Sequence, residues 1–297
     1  TERVMFDTDY DKMGMIFLDA PLTPLYNPTG NNYWFHSEGG MNLMQKMQGP
    51  LNAPGTTSIF NKSYSNVYSN PGGWDGVFWI MNIYKHTDGT LLGVVHVEQS
   101  GSTNDKYRVG LAKSTDNGNT WTYLGHIIQQ YGDPREVNIG AGPLLMKDGY
   151  FYIYYNDTDG TGVARATVQN VMNAASNNTV CSWYKYYNGN WNEAGWGGNY
   201  TKLNARVGDH TQGAFSTYDN KYWIADSCDG NLCYSTDMIH WNKAGSFCTI
   251  NGINPDGRIA SPIYVSICDG DGTANDLKVG QSFYLYFHEG LDWNTYN

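Results

Sequence analysis

The sequence predicts an all-β protein, a five-bladed β-propeller, and three observations predict it. Helical periodicity of apolar residues is almost absent, while short strand-like runs bounded by Gly, Asn and Asp fill the chain. Turn signals followed by aromatic or apolar runs recur at intervals of roughly sixty residues, five times over. A second, shorter motif recurs just after several of these runs. Four-stranded units of about this length suit propeller blades. The alternative on the same pattern is a β-sandwich with accidental spacing.

The five turns are Gly30-Asn31, Asp88-Gly89, Asp148-Gly149, Asp219-Asn220 and Gly280-Gln281. Each combines residues that tolerate positive φ or bond their own backbone. The runs that follow are Asn32–His36, Leu91–Val97, Tyr150–Tyr155, Lys221–Ala225 and Ser282–Phe287. The third interval is the longest. It holds an aromatic, Gly-rich stretch, Trp183–Gly198, which reads as an insertion between blades three and four that lines a cleft or covers an edge. The shorter motif appears as Gly110–Thr115, Gly162–Thr167 and Asn231–Thr236, each placed to be the next strand outward. The best helical segment is Val168–Ala175.

Composition bounds the rest. With 297 residues the chain can bury a sizeable core, and residues 1–297 read as a single β-propeller catalytic domain. Lys and Arg number only 18 and the net charge is −10, with no basic cluster. Phosphate binding needs concentrated cations, so a nucleic-acid partner is not expected, nor an anionic membrane surface. No apolar run is long enough to cross a bilayer. A neutral substrate, such as a sugar, is compatible, and a carbohydrate substrate and a monomeric protein are expected. Sequons at Asn61, Asn156, Asn177 and Asn199 fit a secreted, extracellular protein, mature and without its signal peptide. No cysteine pair has zinc-knuckle spacing; Cys228 with Cys233 and Cys248 with Cys268 could form disulfides, leaving Cys181 free.

The stretch Ser114-Thr115-Asp116-Asn117-Gly118-Asn119-Thr120-Trp121 gathers the residues of a tight turn: an Asp that accepts backbone N–H groups, a Gly, and a Trp that packs back between strands. Ser235–Trp241 is a shorter version. Both read as scaffold on the outer rim, which moves the search for a site inward, to the starts of the innermost strands. These lie near Asp19, Trp74-Asp75, Arg135-Glu136, Asp209-His210 and Arg258. Asp19-Ala20-Pro21, Ala141-Gly142-Pro143 and Ala260-Ser261-Pro262 look like equivalent starts.

The first turn is the Asp-box pattern of sialidase-like propellers. The second resembles the Ser-x-Asp-x-x-x-Trp turn of family 43 arabinanases and xylosidases. With the five hairpins and the Asp19-Ala20-Pro21 start, the chain resembles the five-bladed glycoside hydrolase superfamily that contains family 43. An Ala intervenes where that group has Asp-Pro. The resemblance implies an axial pocket of carboxylates. Glycoside hydrolysis needs one carboxyl group to protonate the leaving oxygen and another to activate water or attack the sugar. Asp19 is the expected base or nucleophile and Glu136 the expected acid, with Asp75 and Asp209 as modulating and orienting carboxylates. Trp74, Trp79, His210, His96, Glu98 and Arg258 are the expected substrate-binding residues, and Trp183 and Trp196 are further stacking candidates.

Each has a plain structural reading beside it: a loop cap for Asp19, a turn for Asp75, a pair with Arg135 for Glu136, core packing for any single Trp. No cofactor is required. Asp269–Asp276 resembles part of a calcium loop and could hold a structural Ca2+, though it lacks the Glu at the twelfth position. Two rivals stand beside the hydrolase: a lectin-like carbohydrate-binding propeller, and a polysaccharide lyase with His210 as base near Arg206.

Overall fold

The computed structural model describes residues 20–27, 29–38, 43–51, 54, 57–63, 68–74, 76–99, 106–131, 139–157, 160–204, 210–226, 230–247, 261–269 and 277–290. They form four blades around an axis. Blade 1 is β1 (Thr23–Leu25), β2 (Asn32–Glu38), β3 (Leu43–Gly49) and β4 (Thr57–Ser63), ordered from the axis outward. In blade 2, β5 (Tyr68–Ser69) lies on the outer edge, and β6 (Val77–Lys85), β7 (Leu91–Gln99), β8 (Lys106–Ser114) and β9 (Trp121–Ile128) run from the axis to it. Blade 3 is β10 (Ala141–Lys147), β11 (Tyr150–Asp157), β12 (Gly160–Thr167), β13 (Tyr184–Tyr187) and β14 (Asn190–Ala194). Blade 4 is β15 (Gly213–Ser216), β16 (Lys221–Asp226), β17 (Asn231–Ser235) and β18 (Asn242–Ser246), joined on its axial side by β20 (Lys278–Val279), parallel to β15. Helix α1 (Val168–Ser176) follows β12 and is capped by Thr167, whose hydroxyl accepts the Asn170 N–H at 3.2 Å.

The expected five blades are corrected to four. The last unit is a two-stranded ladder of β19 (Ser261–Asp269) and β21 (Phe283–Gly290). The physical reason lies in its turn. The first four turn signals join adjacent antiparallel strands, as in Lys147↔Tyr150 and Ser216↔Lys221. Gly280-Gln281 instead follows β20, which pairs with blade 4, so this turn closes no hairpin with β19. The resemblance to a five-bladed superfamily is corrected with it: the likeness is to propellers of that kind, on four blades. The ladder packs Val265 and Ile267 against Ala214 and Ala225 of blade 4, and Cys268 and Tyr286 against Trp34 and Met47 of blade 1. It thereby closes the ring. Trp183–Gly198 is no insertion between blades either, since it supplies the outer strands of blade 3.

The inner strands are tied by buried amides. Gln212 Nε2 donates to Thr23 Oγ1 at 2.7 Å and to the Met81 carbonyl at 2.9 Å. Asn82 Nδ2 donates to the carbonyls of Gly142 and Thr211 at 3.2 and 3.3 Å. These bonds link all four blades, and inside a dry core each such amide must be satisfied.

The two Trp-ended turns dock each blade on the one before it. Asp116 accepts from the Thr120 N–H at 2.9 Å and the Thr120 hydroxyl at 2.7 Å. Lys46 of blade 1 donates to Asn117 O and Asn119 Oδ1, both at 2.8 Å, and Trp121 meets Phe35 edge-on at 6.2 Å. Asp237 accepts from Ile239 and His240 N–H, while Tyr154 of blade 3 donates to Met238 O at 2.9 Å and meets Trp241 edge-on. Both turns serve packing, at the end of the blades opposite that described next.

Candidate functional site

β6 begins and β7 ends at the same end of blade 2, where Val77 pairs with Glu98 and Trp79 with His96. β8 starts there too, with Tyr107 opposite Glu98. Period-two alternation puts His96, Glu98 and Tyr107 on one face of the sheet. That face carries Val94, Val109 and Leu111, which pack with the blade 3 core.

His210 enters from the segment before β15. Its backbone N–H bonds to Ala141 O at 3.2 Å, and its φ of +54° is a left-handed conformation that His adopts more readily than most residues. Tyr264, on β19, also has positive φ (+53°) where the register with β21 shifts. Such backbone strain persists only where the surroundings hold it.

These side chains meet. The rings of His96 and His210 stand edge to face at 4.6 Å. Trp79 lies 5.6 Å from His96, Tyr107 stacks on it at 6.0 Å, and Tyr264 lies 5.9 Å from His210. His96 Nε2 is 3.0 Å from Glu98 Oε1. A carboxylate oxygen accepts, so His96 turns its Nε2–H to Glu98 and its Nδ1 away from it. Nδ1 is buried, with no hydrogen-bond partner among the described residues. The carboxylate orients the ring and leaves its second nitrogen unsatisfied, which marks His96 as the polar centre of this cluster.

Of the expected substrate-binding residues, Trp79, His96, Glu98 and His210 come together here. Trp74 does not: it lies at the outer edge, with its ring 4.6 Å from His126 of β9. Trp196 stacks on His126 at 5.9 Å, and Trp183 is a buried core residue. Asp19, Asp75, Glu136, Asp209 and Arg258 fall outside the described residues, as do Arg206, Cys228, Cys248 and most of the Asp269–Asp276 loop. Asp269 itself accepts the Gly280 N–H at 3.0 Å, and Cys181 carries a free thiol whose pKa burial raises. Among the described residues no three His, Cys, Asp or Glu side chains gather to hold a metal ion.

Sequence reasoning missed Tyr107 and Tyr264. Tyr107 was within reach, since pairing β7 with β8 across their polar connection sets it opposite Glu98. Tyr264 was not, because its orientation depends on a register shift.

No known family signature matches the chain. A sialidase from Paraclostridium sordellii is 35% identical over 74 residues, 24% of this chain and 17% of that relative's length. Among solved structures, the catalytic domain of a GH62 α-L-arabinofuranosidase from Coprinopsis cinerea superposes with a TM-score of 0.59 at 11% identity, covering 94% of this chain and 86% of that one. An α-L-arabinofuranosidase from Lactobacillus brevis gives 0.53 at 14% identity, over 92% and 84% of the two chains. A family 117 glycoside hydrolase from Zobellia galactanivorans gives 0.52 at 12% identity, over 92% and 79%. At these identities the likeness is one of fold. The chain has a β-propeller fold similar to the folds of these hydrolases.

Proposed function

We propose that this protein is a glycoside hydrolase, cleaving O-glycosyl bonds of an oligo- or polysaccharide at the axial end where β6 starts. The observation that carries the reading is the His96–Glu98 pair, its unpartnered Nδ1, and the His210, Trp79 and Tyr264 rings around it. Four separate elements bring these groups to one place, which favours a single central site over sites repeated on each blade. The fold shared with arabinofuranosidases and a family 117 hydrolase supports the same reaction class. In this reading Asp19 acts as base or nucleophile and Glu136 as acid, and Asp75 and Asp209 tune them. Asp209 adjoins His210 in sequence, and Asp75 lies two residues before Val77. Residues 1–297 act as one catalytic domain outside the cell.

The test is release of reducing sugar from plant, algal and fungal polysaccharides, with Asp19→Asn, Glu136→Gln and His96→Asn in parallel. We expect activity on at least one glycan, with both carboxylate variants lowered by about a hundredfold or more. No activity on any glycan, or full activity in both carboxylate variants, would overturn the assignment. A second reading, a polysaccharide lyase, draws on the same unpartnered Nδ1 as a base. It predicts products with a new carbon–carbon double bond that absorbs in the ultraviolet, with His96→Asn inactive.

A further inference from the structure

Arg108 lies on the face of blade 2 opposite Tyr107, and so apart from the axial cluster. It is only 4% exposed. A guanidinium held this far from water is costly unless a counter-charge compensates it, yet its bonds go to neutral acceptors. Nη1 donates to the Tyr107 carbonyl at 2.7 Å and to Gln130 Oε1 at 3.2 Å. No carboxylate lies within ion-pair distance among the described residues, and burial alone lowers its pKa.

Two donor nitrogens of this guanidinium remain. Nε and Nη2 have no protein acceptor among the described residues, and they are not among the atoms sealed from solvent. Together they are the fork that receives a carboxylate through two parallel hydrogen bonds. Gln130, fully buried, holds Nη1 through its oxygen, while its own Nε2 is sealed from solvent with no partner among the described residues. Over the guanidinium, at 5.3 Å, lies the indole of Trp196, which is 50% exposed. Trp74, 37% exposed, continues the aromatic surface beyond His126.

We propose that Arg108, Gln130 and Trp196 form a binding site for the carboxylate of an acidic sugar, a uronic acid residue of a glycan. The carboxylate takes the Nε/Nη2 fork, and the sugar ring lies along the exposed indole. In a chain of net charge −10, a buried guanidinium with an unpaired fork selects one anionic group rather than an anionic surface. The choice of a glycan rests on the reading of the protein as carbohydrate-active. The choice of an acidic one rests on the fork alone.

The test is calorimetric titration at low and moderate salt with trigalacturonate, with neutral galactotriose as the control and acetate as the carboxylate alone. Wild type should bind trigalacturonate at least about tenfold more tightly than galactotriose. Arg108→Met keeps the stem beneath Trp196 and removes the fork, and should erase that preference. Arg108→Lys should restore it only in part, since an ammonium cannot bond a carboxylate at two parallel points. Trp196→Ala should weaken trigalacturonate while leaving acetate unchanged. Equal affinity for the two trisaccharides, or an unchanged preference in a folded Arg108→Met, refutes the proposal. Affinity and turnover are measured separately, so the two readings fail separately. A protein that hydrolyses neutral glycans with no uronate preference loses only this site, and one that binds uronate without hydrolysis loses only the hydrolase.

Discussion

Lys185, fully buried in β13, allows the sharpest test of how the outer edge of blade 3 is held. Its ammonium donates to Gln129 O at 2.6 Å and to Gly198 O at 2.9 Å, and lies 4.0 Å from buried Asp157. It thus clamps the end of blade 2 to the hairpin of β13 and β14. Burial pulls its pKa from the ordinary 10.5 to about 8, against the pull of Asp157 and Glu193. In the unfolded chain the amine keeps its proton to higher pH. Between those two values the unfolded state therefore binds more protons, and stability rises with pH. The gap corresponds to about 3 kcal/mol in all, of which about 2 kcal/mol accrues between roughly pH 7 and 9.5. Lys46, also lowered by burial, adds in the same direction. Tyr154, Tyr155 and Tyr286, all raised by burial, act oppositely once unfolded tyrosines ionise near pH 10, so the window closes there. The perturbation is Lys185→Met, which keeps the stem and removes the titrating group. Urea unfolding followed by tryptophan fluorescence and circular dichroism should show wild type gaining about 2 kcal/mol on the variant from about pH 7 to 9.5. The two unpaired carbonyls shift the variant's curve by a pH-independent amount and leave the difference in slope intact. Parallel curves, or a wild type that falls through this range, would refute the account.

Other parts of the fold give tests of their own. Gln212→Leu removes both donors of the axial amide and strands Thr23 Oγ1 and Met81 O; thermal unfolding should show a loss of about 2–4 kcal/mol. At Gly110 a Cβ would strike the Tyr123 hydroxyl, itself bonded to His126, and would stand 2.9 Å from Gly125 O. Gly110→Ala should therefore cost about 1–3 kcal/mol by denaturant midpoint, despite the better strand propensity of Ala. For Asp237, burial opposes ionisation, but bonds from His240, Ile239 and Ser235 outweigh it and hold its pKa at about 2. Its contribution is present above pH 3.8 and is lost as pH falls through about 2. Asp237→Asn should flatten the acid limb of a Tm profile measured from neutral pH downward, and an unchanged limb would count against the turn as an electrostatic support.

Strand content, the four short hairpins, the third-strand repeats and α1 were all legible in the chain, because they rest on periodicity and on residues with local conformational meaning. Asp148-Gly149 and Asn220 adopt the positive φ that marked them as turns. The outer turns were legible as scaffold for the same reason: Ser, Asp and Gly bond within seven residues of chain. Blade number was not. It depends on where a strand finds its edge, and β20 finds it beside β15 rather than with its own neighbours. Hydrogen bonds between distant segments carry no local signal.

The candidate site divides in the same way. Sequence alone marked His96 and Glu98, because alternate residues on one strand share a face, and it marked His210 as the start of an inner strand. It also ranked Trp74 with them, where the fold places that ring on an outer edge with His126 and Trp196. Only the tertiary structure set Tyr107 and Tyr264 against the histidines and, among the described residues, left Nδ1 of His96 without a partner and buried Arg108 without a counter-charge. Those properties are relations between side chains brought together by the closing of the ring. A sequence specifies which groups a strand presents to each face, whereas the dielectric, the partners and the vacancies around them exist only once the faces meet.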